Sequence, residues 1–133
     1  MTSKVDRLFI IVGLLFAGPG LGLGMYMGIS GNHAQMPTHA HIMLAGAVLS
    51  TLYGLISRAF PVVKNGVLPY VHFYMHALGA LGLSGGLAYI FSGYPETSPI
   101  FILLFASATM LIPAWLLFIF LFATRSGKDA NAS

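Results

Sequence analysis

The chain has 133 residues, of which 57% are hydrophobic and only 7% are charged, and it contains no cysteine. A soluble domain carries roughly 25% charged residues, so this composition excludes an ordinary soluble protein. The absence of cysteine excludes disulfides and iron–sulfur clusters. The formal net charge is +3, but the basic residues stand at the ends of apolar blocks, so we expect no nucleic acid among the partners.

Four apolar blocks follow one another, at about residues 8–27, 39–60, 70–92 and 99–123. Each is close to the roughly 20 residues that cross about 30 Å of hydrocarbon. Continuous apolar runs of this length exclude the alternating pattern of a β-barrel. We therefore predict an all-α protein, an integral membrane four-helix bundle that forms one domain over residues 1–133 and has the lipid bilayer as its solvent.

The first block is rich in glycine. We expect it to be retained as a helix rather than cleaved as a signal peptide, because its apolar run continues past Pro19 to Met27. Gly20, Gly24 and Gly28 recur every four residues and so lie on one helical stripe, which favours close helix contact in membranes. The contact could lie within the chain or between subunits.

Basic residues mark alternate ends of the four blocks. They are Lys4 and Arg7, then Arg58 and Lys64, then Arg125 and Lys128. The two remaining loops, residues 28–38 and 93–98, contain no Lys or Arg, and the second holds Glu96. The positive-inside rule then places both termini and the loop after the second helix in the cytoplasm. We predict a multi-pass protein of a bacterial inner (plasma) membrane.

Two histidines, His39 and His41, open the second block. A titratable group within a membrane helix is costly to desolvate and is by default a candidate functional residue. Residues two apart on an α-helix point about 200° away from each other. The pair therefore cannot grip one ion together, and we expect each imidazole to enter a different cavity.

The third block carries His72 and His76, which are four residues apart and share one helix face. This spacing suits one metal ion or one buried hydrogen-bond network. In an antiparallel hairpin the two histidines lie at the opposite end from His41, and the axial gap between His41 and His76 is roughly 14 Å. We interpret His72 as an interfacial histidine. His76 could either join helices by a hydrogen bond or act as a ligand or proton relay. We expect His33 to be a solvated loop residue.

Three segments together resemble a known family. They are residues 38–48 (THAHIMLAGAV), Phe60-Pro61 and Val71-His72-Phe73. The order of a His-x-His motif, a Phe-Pro turn and a His-Phe helix start resembles the tenth and eleventh helices of the catalytic subunit of the haem–copper oxidases. The match covers about a third of the chain. That subunit has twelve helices in three arcs of four, so this chain resembles one arc and a homotrimer would imitate the whole.

The resemblance implies roles for matched residues only. His39 would ligate a high-spin haem and His41 a low-spin haem, whereas His72 matches a histidine that is not a ligand and His76 has no counterpart. The chain lacks the histidine pair of the copper site and the intramembrane Glu or Lys of the proton channels, so a complete oxidase is not expected. Without cysteine any haem would be non-covalent haem b.

These implications favour electron transfer, or gas or redox sensing, with a redox partner protein or a quinone. A second hypothesis is a copper- or haem-handling assembly factor, since histidine and thioether together suit copper(I) and the chain offers Met25, Met27, Met36 and Met43. A third is a cofactor-free membrane scaffold whose histidines join helices by hydrogen bonds.

Overall fold

A computed structural model describes residues 3–128. Within these residues all regular secondary structure is helical, and four helices are long and apolar enough to cross a membrane. They are α1 (Val5–Ser30), α2 (Met36–Ala59), α3 (Leu68–Phe91) and α4 (Pro99–Arg125). The prediction of an all-α chain with four helices long and apolar enough to span a membrane is thus confirmed. Residues 1–2 and 129–133, on which part of the prediction about the termini falls, lie outside the described residues.

Three helix ends have residues that cap them: glycines follow α1 and α3, and a serine precedes α4. Gly31 follows α1 in the left-handed conformation, with φ 67°, and its N–H donates to the Met27 carbonyl at 3.0 Å. Gly93 plays a similar role after α3, with φ 84°. Ser98 precedes α4, and its hydroxyl accepts from the Ile100 N–H at 3.3 Å.

Helix α2 changes its winding in the middle. Met36–His41 is α-helical, Ile42–Val48 is π-helical and Leu49–Ala59 is α-helical again. A π-helical turn is wider than an α-turn, is rare, and is found frequently at functional sites. The change begins at the residue directly after His41, so the His-x-His motif lies at a junction between two windings.

Helix α4 is interrupted once. Its parts Pro99–Ala108 and Leu111–Arg125 are separated by a turn at Thr109 and Met110. Pro113 explains the turn, because a proline has no N–H to donate and its ring clashes with the carbonyl four residues earlier, which here is that of Thr109.

Small residues let α1 and α2 approach closely. A methyl group added at Gly13 would lie 2.9 Å from the Ala47 carbonyl oxygen, and one at Gly20 would meet the Met43 sulfur. Nothing lies within 4 Å of the same position at Gly28. The predicted glycine stripe therefore contacts α2 of the same chain at Gly20 and at Gly24, which packs against His39, whereas nothing in the described part of the chain contacts Gly28.

The buried apolar core lies at one end of the bundle. Its residues come from the first turns of α1, the beginning of α3, the second halves of α2 and α4, and the turn after α2: Val5, Phe9, Tyr53, Val63, Phe73, Phe118 and Leu121. Large apolar side chains are exposed along all four helices, as expected for surfaces that face lipid.

Candidate functional site

His39 lies between α2 and α1. Its ring is half-buried, and its Nδ1 atom is 2.8 Å from the carbonyl oxygen of Gly20. A carbonyl only accepts, so the Nδ1–H is the donor and Nε2 of the neutral ring keeps a free lone pair. Gly24 makes room for the ring, because a methyl group there would lie 2.9 Å from the Cε1 atom of His39.

His41 lies on a different side of α2. Its ring is exposed, and its Nδ1–H donates to the carbonyl of Pro37 in the preceding turn at 2.7 Å. Nε2 again keeps its lone pair. The residues that follow it along α2 include an exposed apolar stripe, Leu44, Val48, Leu52 and Leu55. In the single chain His39 thus faces α1, whereas His41 faces outward.

Two polar residues fix the start of α2. The Thr38 hydroxyl donates to Oε1 of Gln35 at 2.6 Å, and Nε2 of Gln35 donates to the Ala88 carbonyl at 3.3 Å and to the Ser92 hydroxyl at 3.0 Å. Thr38 is only 1% exposed. These bonds join the first turn of α2 to the end of α3 and so hold the histidine-bearing turn in place. From the sequence, Gln35 and Thr38 are recognisable only as part of the polar run before the second apolar block, because the partners of Gln35 at the end of α3 lie 53 and 57 residues away.

A third histidine near this end of the bundle, His33, is exposed in the loop between α1 and α2. Its Nδ1–H donates to the Gly31 carbonyl, two residues earlier, at 3.0 Å. This bond stays within the loop.

His72 and His76 are both 1% exposed and lie at the end of the bundle that holds the core. Nε2 of His76 is 2.9 Å from the Ser50 hydroxyl oxygen. Nε2 of His72 has no hydrogen-bond partner among the described residues, and neither has the nearby Tyr53 hydroxyl. The Tyr53 ring lies 4.6 Å from that of His72 and 5.0 Å from that of His76, between ring centroids. His72 is therefore buried among side chains of the bundle.

The two pairs of histidines stay apart. His76 bonds to Ser50, which lies nine residues after His41 on α2, so the separation predicted from the hairpin is retained. Across residues 3–128, no three His, Cys, Asp or Glu side chains come together in a way that could hold a metal ion. A bare metal site built from three such side chains of one chain is not found in the described part.

An apolar groove of about 450 Å³ runs between α1 and α3, with α2 behind it. Its lining includes Phe16, Pro19, Ile42, Leu81 and Ser84, but neither His39 nor His41. The groove therefore does not join His39 and His41 within one chain.

Comparisons with known protein families, with curated proteins and with solved structures found no match to this chain. The resemblance to the haem–copper oxidases therefore rests on the quoted sequence segments alone and stays a prediction. What the chain offers as chemistry is a pair of imidazoles, His39 and His41, each oriented by a backbone carbonyl.

Proposed function

We propose that the chain is a membrane-embedded b-type haem protein in which His39 and His41 are the iron ligands. The observation that supports this most is the shared orientation of the two rings. Each donates its Nδ1–H to a backbone carbonyl, of Gly20 or of Pro37, and keeps Nε2 for a ligand. Histidines that bind metal almost always donate their other ring nitrogen in this way, which fixes both the tautomer and the ring plane.

The donor set fits haem better than it fits a bare ion. The porphyrin supplies four nitrogen ligands, so the protein has to add only one or two imidazoles. The absence of a cluster of three ligating side chains within residues 3–128 does not oppose a haem, whereas it opposes a metal ion held by one chain alone. Since the chain has no cysteine, the haem would be bound without covalent links.

A haem held by two of these histidines would supply one-electron chemistry, and a haem held by a single histidine would be able to bind a gas. The residues of this chain would hold the iron at a fixed depth and exclude water from it. Bonds from Gln35 to α3 fix the ligand-bearing turn. Electron transfer, or gas or redox sensing, is therefore the activity that we propose, without the copper site and proton channels of a complete oxidase.

A second copy of the chain would complete the site. The exposed ring of His41 would face lipid in a monomer, where Nε2 finds no hydrogen-bond partner, and the adjacent apolar stripe would also be uncovered. A closed ring of subunits repeats one contact and covers the same face in each copy. We propose a homotrimer in a bacterial inner membrane, with a redox partner protein or a quinone as the electron donor or acceptor.

One observation favours copper as a second candidate. Met43 and His39 both contact Gly20 of α1, the first through its sulfur and the second through its hydrogen bond to the carbonyl. The two residues are four positions apart on α2, and a thioether together with an imidazole suits copper(I). A copper- or haem-handling factor would use this pair near the outer end of the bundle.

An optical spectrum of the purified full-length protein, oxidised and then reduced, tests the proposal. A Soret band with the α and β bands of low-spin haem b is expected. Copper by metal analysis without a Soret band would support the copper candidate, and the absence of both would contradict both proposals and indicate a scaffold. Native mass spectrometry tests assembly, and haem-loaded monomers alone would contradict the trimer.

Alanine variants assign the ligands. If neighbouring copies share one iron, replacing either His39 or His41 abolishes the low-spin spectrum, because cyclic symmetry makes all sites equivalent. If two different haems are bound, His41→Ala removes the low-spin signal and leaves a high-spin haem on His39. His72→Ala leaves the spectrum in place in both cases. Loss of haem in His76→Ala, with haem retained in His39→Ala, would overturn the assignment.

A further inference from the structure

A polar pocket of about 510 Å³ lies at the end of the bundle opposite to His39 and His41. Its lining residues are Ser3, Lys4, Asp6, Arg7, Arg58 and Lys64. Four of the six are cationic and one is a carboxylate, so the pocket carries a net charge of +3. The groove between α1 and α3 and the groove between α1 and α2 are lined mainly by apolar side chains, so this pocket differs from both in its polar, charged lining.

The floor of the pocket is built from ion pairs. Oδ2 of Asp6 accepts from Nε of Arg58 at 3.3 Å and lies 3.4 Å from Nζ of Lys64. The Asp6 side chain is only 6% exposed, whereas that of Arg58 is 56% exposed. One buried carboxylate therefore fixes two cations from different parts of the chain, and its single charge neutralises only one of them.

Tyr70 of α3 fixes the chain segment that borders the pocket. The Tyr70 hydroxyl accepts from the backbone N–H of Lys4 at 3.3 Å and lies 3.5 Å from the Ser3 hydroxyl oxygen. This contact holds the segment before α1 beside the pocket. Helix α1 begins at Val5, and the side chain of Lys4 makes no hydrogen bond that caps it. The Ser3 hydroxyl accepts from the Val5 N–H at 3.4 Å and Asp6 lies in the first turn, so the positive end of the α1 dipole adds only weakly to the field of the cations.

Lys4 and Arg7 are exposed and make no ion pair with any residue in the described part of the chain. Their charges, the half-exposed guanidinium of Arg58 and the helix dipole converge on one polar cavity at the end of the membrane-spanning helices. Arg and Lys beside a helix N-terminus are the donors that bind phosphate groups. Basic pockets between transmembrane helices bind the headgroups of anionic lipids.

We propose that this pocket binds a phosphate group, and that the headgroup of an anionic phospholipid is the source that its position at the helix ends favours. Lys4, Arg7 and Arg58 are the ligands for the phosphate oxygens, and Asp6 is a positioning residue that fixes Arg58 and Lys64. The site is independent of the histidines and of haem.

Native mass spectrometry of the full-length protein, titrated in detergent with phosphatidylglycerol or with phosphatidylcholine of the same acyl chains, tests the proposal. Phosphatidylglycerol is expected to remain bound in preference to phosphatidylcholine. Each neutralised cation should weaken its binding about fivefold. The double variant Lys4→Gln/Arg7→Gln changes only exposed side chains, and circular dichroism verifies that it is folded. Lys4→Arg keeps the charge and should keep the affinity.

Arg125→Gln is the matched control. Arg125 donates to the Asn65 carbonyl at the same end of the bundle but does not line the pocket. An equal loss in Arg125→Gln would overturn the proposal, since it would indicate general attraction of the surface charge. A second arm titrates inorganic phosphate into protein held in phosphatidylcholine nanodiscs. Binding there that depends on Lys4 and Arg7 would assign the pocket to a soluble phosphate, and binding in neither arm would overturn the site.

Discussion

Ser50 and His76 face each other across α2 and α3, with 2.9 Å between the serine hydroxyl oxygen and Nε2 of the imidazole, and both side chains are buried. This bond sets the register of the hairpin. At about 1.5 Å per residue, the nine residues from His41 to Ser50 place His41 more than about 10 Å from the level of His76. The bond therefore separates His39 and His41 from the buried pair and ties His76 to a structural partner.

Removing the serine hydroxyl should destabilise the bundle. In Ser50→Ala, Nε2 of His76 is left buried without a partner, and we expect a loss of about 1 kcal/mol, the size typical of hydrogen bonds between membrane helices. Equilibrium unfolding in mixed micelles measures it. Thr124→Ala is the control, because the Thr124 hydroxyl is exposed and bonds only to a carbonyl of its own helix. Equal stability of the two variants would show that the Ser50 bond contributes nothing.

Removing the Tyr53 hydroxyl should have the opposite effect and raise the free energy of unfolding. The hydroxyl is buried and has no hydrogen-bond partner among the described residues. A buried polar group without a partner costs about 1–3 kcal/mol. Tyr53→Phe removes the hydroxyl and keeps the ring contacts with His72 and Phe118, so the free energy of unfolding should rise by about 1 kcal/mol. The same unfolding assay applies. A decrease would show that the hydroxyl has a partner, such as a buried water.

Close contact between α3 and α4 depends on Gly82. A methyl group there would lie 2.5 Å from the Leu104 carbonyl oxygen and would also meet the Ser107 hydroxyl. Because a backbone carbonyl cannot move aside without moving its helix, Gly82→Ala should cost about 1–3 kcal/mol. Gly86→Ala is the matched control on the same helix, since its methyl group would meet only Leu104 Cβ at an ordinary 3.7 Å. Similar unfolding curves for the two variants would contradict this packing.

Hydropathy predicted the four helices because apolar length is a property of each segment alone. The winding of α2 was not predictable in the same way. Nothing in the run Ile42–Val48 marks a π-helix, which depends on how α1 and α3 pack against it. The bond between Asp6 and Arg58 joins residues 52 positions apart, and charge counting placed the cations at one end without showing which of them share a carboxylate.

For the histidines too, local spacing was predictable from the sequence, whereas contacts with other helices were not. The spacing of four predicted that His72 and His76 share a face, but burial of His72 depends on Phe9 and Phe118 from two other helices, whose rings lie 4.9 and 5.0 Å away. The carbonyl partner of His39 comes from α1, 19 residues earlier, and no local rule indicates it. The partner of His41 is local, four residues back, and a helical start at Pro37 could have suggested it.

Membrane orientation is tested by labelling single cysteines, which is straightforward because the chain has none of its own. The cations Lys4, Arg7, Arg58 and Lys64 gather around one pocket, and Glu96 stands in a loop without Lys or Arg. The positive-inside rule then predicts that Glu96→Cys reacts with an impermeant maleimide from the periplasm, whereas Ser133→Cys does not. The reverse pattern would place His39 and His41 at the cytoplasmic end.

The packing of His39 on α1 gives the sharpest test of its proposed role as an iron ligand. A leucine at Gly24 would occupy the space of the imidazole and displace it from the Gly20 carbonyl, because even a methyl group there lies 2.9 Å from Cε1. Gly24→Leu should therefore reduce the haem signal as strongly as His39→Ala does, with the unfolding of the apoprotein little changed. Gly28→Leu is the matched control, one turn further along the same stripe with nothing within 4 Å. If both leucine variants keep a full complement of haem, His39 is not a ligand. If both lose it, the loss comes from the surface of α1 and not from the displaced imidazole.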